Sequence, residues 1–166
     1  SNPEGFILFN NTKVKYLCYT NEYYKTCLVQ QPMIKEHFEE ELSKLVIPET
    51  KKCVDALKKE YERKGYSVSS GNIDASVSVV PDKIGINVQA PITVTKESSQ
   101  TFKEFDIDIR SEMYDLLFIA HSIIDFEATY GDSETTLYLQ YYPDLRIDKV
   151  KLSEGSKVYR VSNVVT

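Results

Sequence analysis

The residue best placed to do chemistry in this chain is Glu127. Met113, Leu116, Leu117, Ala120, Ile123 and Ile124 recur at helical spacing and form an apolar stripe. At about 100° per residue, Glu127 falls between the directions of Ala120 and Ile123, near the middle of that stripe. A carboxylate there is costly unless it is paired or protonated. In chemical terms it could serve as a general acid with a raised pKa, as in glycoside cleavage, with Asp132 or Glu134 as the second carboxylate. The competing reading is structural: from the last turn of the helix Glu127 reaches a Tyr hydroxyl, a Lys or Arg, or solvent. His121 sits at the border of the same stripe and His37 lies among glutamates, and neither has a second His or a Cys with an associated base at useful spacing. Asp106 and Asp108 could share a divalent cation, although a D-x-D on a wet strand is ordinarily just solvated. Ligand pairs at C-x2-4-C or H-x3-5-H spacing do not occur, and neither do G-x-G-x-x-G, Walker or G-x-S-x-G motifs. The expectation is therefore no metal and no cofactor.

A second feature is aromatic. The chain has 12 Tyr and no Trp, and Tyr16, Tyr19, Tyr23 and Tyr24 crowd together, with a further pair at Tyr141-Tyr142. Tyr offers contact area at low entropic cost and is enriched in recognition surfaces. These rings either bind a partner or cover the core from its edge. Cys18 and Cys27 flank the Tyr-rich stretch, and residues 14–20 and 23–29 could turn back around Asn21-Glu22 to bring the thiols near bridging distance. They are either a disulfide or two reduced, half-buried thiols. Cys53 lies in a helical pattern, as a small core residue or as half of a bridge to a segment outside this sequence. Asn10-Asn11-Thr12 is an N-x-T sequon, compatible with export.

These residues need elements to hold them. Gln31-Pro32 opens a helix in which Ile34, Phe38, Leu42 and Leu45 form a stripe. Pro48 should kink it, Cys53, Val54, Leu57 and Tyr61 resume the stripe, and Gly65 caps it, which predicts one long bent helix over 32–64. From 66 to 110 the period drops to two. Ile73, Ala75, Val77 and Val79 lead to a turn at Pro81-Asp82, then Ile84, Ile86 and Val88, with an edge or bulge at Pro91. Phe105, Ile107 and Ile109 then alternate with Asp106, Asp108 and Arg110, giving an antiparallel meander with one wet face. Ser111 caps a second, shorter helix over 112–130, and three short strands are expected over 137–162, the first from Leu137 to Tyr142. The 166 residues read as a single α+β domain, an antiparallel sheet packed by the long helix and the shorter one, with a Tyr- and Cys-rich segment over 1–30.

The stretch Tyr16-Leu17-Cys18-Tyr19-Thr20, with Tyr23-Tyr24, Cys27 and Gln30-Gln31-Pro32 running into the long helix, resembles the start of an uncharacterised family of archaeal proteins with an N-terminal membrane anchor. The β-rich middle, the Tyr114-Asp115-Leu116 helix and Tyr141-Tyr142-Pro143 are similar in order, so the resemblance covers most of the chain. It implies an anchored, extracytoplasmic domain. No run of 18 or more apolar residues occurs in the chain itself, and the opening Ser1-Asn2-Pro3, without an initiating Met, leaves room for an upstream anchor or signal. A net charge of -5 argues against nucleic acid and anionic lipid as partners. Two functions follow as expectations. One is a non-enzymatic envelope domain that contacts a protein or glycan at the cell surface through the 16–31 region; the other is an envelope glycan hydrolase with Glu127 as its acid. Nothing in the sequence sets an oligomeric state.

Overall fold

A helix of thirty residues with a proline inside it needs outside support, and the sheet that follows supplies it. The computed structural model describes residues 5–164, whose contacts gather into two compact units: Lys35–Tyr114, and a second made of the N-terminal segment up to Ile34 with residues from Asp115 onward.

In the first unit, helix α1 (Ile34–Arg63) runs through Pro48 without a break and ends where Gly65 takes a positive φ of 83°. Four strands of the same unit follow: β5 (Ser67–Ser70), β6 (Asp74–Val80), β7 (Lys83–Thr95) and β8 (Ser99–Arg110). They are numbered after β1 to β4 of the N-terminal segment, described below. All pairings are antiparallel. β7 is central, flanked on one side by β8 along its length and on the other by β6 and then β5. The β6–β7 hairpin turns at Pro81-Asp82, where Asp82 carries the positive φ (66°) that Pro81 cannot. At Pro91, which has no amide hydrogen to give the ladder, the β7–β8 register slips between Gln89 and Ile92, so the expected irregularity is a bulge. The core of this unit is Val54, Val68, Ala75, Val88, Ala90 and Ile92, with Val46, Ile47, Tyr61, Tyr66, Ile73, Ile86 and Val94 packed against it.

Two expectations need correction here. Cys53 is exposed, not a core residue, as are Leu45 and Leu57. The face of α1 that meets the sheet is Ile47, Val54 and Tyr61 with Val46. Successive sevens in that line drift by only about 20°, whereas Leu57 has rotated about 140° from Ile34, because chained steps of three and four accumulate error over a long helix. The apolar face of β8 is also not buried: every residue of the strand is exposed.

The second unit contains two N-terminal ladders. β1 (Phe6–Phe9) pairs with β2 (Thr12–Lys15) around Asn10-Asn11, both at positive φ, and β3 (Cys18–Tyr19) pairs with β4 (Leu28–Val29). The latter is shorter than the sequence suggests, because Val14 and Lys15 belong to β2 and the turn spans 20–27. Helix α2 (Met113–Tyr130) starts with the Met113 amide donating to Ser111 Oγ at 3.2 Å and buries Ile119, Ile123, Ile124 and Glu127. Leu137 to Tyr142 is not a strand: Thr136–Tyr141 is a short helix, α3, held to α2 by a 2.8 Å hydrogen bond between the Ser122 and Tyr138 hydroxyls. Strands β9 (Leu145–Lys151) and β10 (Lys157–Asn163) close the unit as an antiparallel hairpin.

Candidate functional site

Glu127 is buried, with 8% of its surface exposed, and three donors meet its carboxylate. The Ser133 amide donates to Oε1 at 2.8 Å, the Tyr159 hydroxyl donates to the same oxygen, and Lys157 Nζ lies 2.7 Å from Oε2. A Tyr hydroxyl and a Lys are the partners that a structural role calls for. Lys157 continues the network: its ammonium also donates to the Gly131 carbonyl and bridges to Asp132 at 2.8 Å. Asp132 receives Lys149 at 2.7 Å, and Lys149 in turn donates to the Ser133 carbonyl at 2.9 Å. These contacts tie the last turn of α2 and the 131–133 turn to both strands of the β9–β10 hairpin. Gly131, at φ 92°, lets the chain reverse there.

The electrostatics follow from those contacts. Hydrogen bonds from Lys149 and Lys157 pull the Asp132 carboxyl from 3.8 to about 2. Burial works against the Lys157 cation, yet its bonds to Asp132 and Glu127 outweigh this and raise its pKa. Burial and the bond to Glu127 raise that of the Tyr159 hydroxyl, which therefore stays protonated as a donor. Glu134, the other candidate second carboxylate, accepts instead from the amide and hydroxyl of Thr136 at 3.0 and 2.6 Å, at the start of α3. Glu127 and Asp132 are thus brought together, but with a lysine ammonium between them. Sequence reasoning missed Lys157, Tyr159, Lys149 and Ser133. For the three hairpin residues the one signal is the β9–β10 register, which sets Tyr159 opposite Lys149 and leaves Lys157 two residues away on the same strand face; Ser133, which contributes a backbone amide, has none.

The Tyr-rich segment is built differently. Cys18 and Cys27 form a disulfide with Cα atoms 5.3 Å apart. Inside the loop the Thr20 hydroxyl accepts from the Glu22 amide at 3.1 Å, the Lys25 amide donates to the Glu22 carbonyl at 3.1 Å, and Lys25 pairs with the Glu22 carboxylate at 2.7 Å. Below it the Gln30 amide donates to the Leu17 carbonyl at 2.7 Å. The four tyrosines separate into two pairs. Tyr16 and Tyr19 are half-buried with ring centroids 5.3 Å apart, and the Tyr16 hydroxyl lies 3.5 Å from Ser156 Oγ. Tyr23 and Tyr24 stand in solvent, 103% and 82% exposed, beside Leu28 at 73%. Core-covering and display are therefore both present, on different rings.

The remaining candidates lie apart. His121 Nε2 is 3.3 Å from Asp125, while its buried Nδ1 has no hydrogen-bond partner among the described residues; His37 is half-buried on α1. Asp108 pairs with Lys83 at 2.7 Å and Asp106 accepts from Asn87 at 2.8 Å. Tyr141 and Tyr142 are exposed at the end of α3. Among the described residues, no group of three or more His, Cys, Asp or Glu is placed to hold a metal, and no helix is long and apolar enough to cross a membrane. No protein-family model, no curated protein and no solved structure matches the chain.

Proposed function

We propose that this chain is a non-enzymatic, extracytoplasmic binding domain of a membrane-anchored envelope protein, which contacts a protein or glycan partner through the 16–31 loop. The observation that carries the reading is the disulfide-closed loop that holds Tyr23 and Tyr24 in solvent while Tyr16 and Tyr19 are half-buried. A ring fully in water contributes little to folding, whereas a loop already fixed by a disulfide and internal hydrogen bonds loses little entropy when it binds. The disulfide is compatible with an oxidising compartment outside the cytoplasm. On the other side of the balance, both oxygens of Glu127 are occupied by donors, which supports a structural role over that of an acid free to protonate a leaving group.

The test is binding of the purified domain to isolated cell envelopes from its native source, comparing the unaltered chain with Tyr23→Ala/Tyr24→Ala. The reading expects saturable binding that falls at least about tenfold in the double variant. Loss after protease treatment of the envelopes identifies a protein partner, and loss after periodate identifies a glycan. Equal binding by the two chains would remove the loop from the interface.

A further inference from the structure

The sheet of the Lys35–Tyr114 unit has two long sides, and the chain treats them differently. Along β6, α1 blocks the edge with polar side chains. Ser43 Oγ accepts from the Val77 amide at 2.9 Å, and Glu39 Oε1 accepts from the Val79 amide at 2.7 Å. These outward-facing strand amides are therefore not open to another strand. Along β8 nothing comparable is found: among the described residues the strand pairs with β7 alone, and it is exposed from end to end. Its apolar residues Phe102, Phe105, Ile107 and Ile109 are 39–48% exposed. Phe105 and Ile107 lie opposite Val88 and Ile86, so this surface continues the face that α1 covers over β7. A long, untwinned edge with aromatic and β-branched side chains is normally avoided, because it is a template for pairing.

The opposite face of β8 says what would pair with it. Glu104, Asp106 and Asp108 form an acidic row that ends at Arg110; Asn87 donates to the first two carboxylates and Lys83 pairs with the third. A second copy of this chain gains less from charge. Antiparallel self-pairing with Glu104–Arg110 fully overlapped sets Asp106 opposite Asp108, a like-charge pair that offsets the contact of Glu104 with Arg110, and registers shifted towards Glu104 set acid against acid. A strand with Lys or Arg at alternate positions meets the row with favourable charge, and its intervening apolar residues extend the Phe102–Ile109 surface.

We propose that β8 is a docking edge for an extended segment of another protein, one that alternates basic and apolar residues and adds to the sheet as an antiparallel strand. The site uses none of the residues of the 16–31 loop and stands whether or not that loop binds anything.

The probe is a capped synthetic peptide of alternating lysine and valine, mixed with the full chain and followed by fluorescence anisotropy and by amide hydrogen exchange. The proposal expects slowed exchange confined to residues 99–110, and binding about fivefold weaker in Asp106→Asn/Asp108→Asn, whose substituted side chains are exposed and leave the core intact. A glutamate–valine peptide that bound as well would overturn it by showing apolar stickiness alone. So would an absence of protection on β8, or protection that rises with the concentration of the chain by itself, which would identify a second copy as the occupant.

Discussion

At the scale of single residues, the centre of the C-terminal unit is a buried carboxylate matched to a half-buried lysine, a tyrosine and a backbone amide. Removing one partner from such a set strands the others, which costs more than the set contributes when intact. Glu127→Ala leaves Lys157, the Tyr159 hydroxyl and the Ser133 amide without their acceptor, so denaturant unfolding should show a loss of about 3–5 kcal/mol. Glu127→Gln, which keeps an acceptor oxygen, should lose less. Asp132 gives the acid side of the same network. Its pKa is lower folded than unfolded, so its stabilisation is full above 3.8 and disappears as pH falls towards about 2. Because its side chain is mostly exposed the effect is small. Melting temperature should still fall more steeply between pH 4 and pH 2 in the unaltered chain than in Asp132→Asn. The place of Glu127 on the buried face of α2 was legible from its angle to Ala120 and Ile123. Its partners were not, because Lys157 and Tyr159 reach it only through the register of a hairpin that begins some eighteen residues later in the chain.

At the scale of elements, α1 both covers the sheet and closes one of its edges, and this explains why polar residues interrupt its apolar face. Ser43 and Glu39 face β6 because strand amides need acceptors there. The prediction is local: in Glu39→Ala/Ser43→Ala the Val77 and Val79 amides should exchange much faster, with a stability loss of about 1–3 kcal/mol per orphaned amide. Unchanged exchange at both amides would contradict edge closure. The hairpins and the bulge were readable, since Pro81-Asp82 and Pro91 act through their own backbone constraints. The stripe on α1 was only half readable, because Leu45 and Leu57 satisfy local spacing yet lie off the line of Ile47, Val54 and Tyr61. Residues 137–142 show the same limit on a shorter span. Leu137, Leu139 and Tyr141 alternate like a strand but stay exposed, and Tyr138 meets Ser122 from a helix.

At the scale of the whole molecule, the chain presents two surfaces that folding does not consume: a disulfide-closed loop with two tyrosines in water, and a sheet edge with an acidic row beside an apolar one. Neither needs a reactive group, which accords with a protein that acts by contact. An α+β architecture and the pairing of Cys18 with Cys27 were both within reach of the sequence. The exposure of β8 was not, because alternation identifies a strand with an apolar face and leaves open whether anything covers it.

The most direct measurement is thiol alkylation and peptide mapping of unreduced protein taken from its native cell. A binding domain outside the cytoplasm should take up one alkyl group, on the exposed Cys53, and yield the peptides of Cys18 and Cys27 joined. Alkylation of all three cysteines would contradict both the oxidised loop and the compartment in which it is proposed to act.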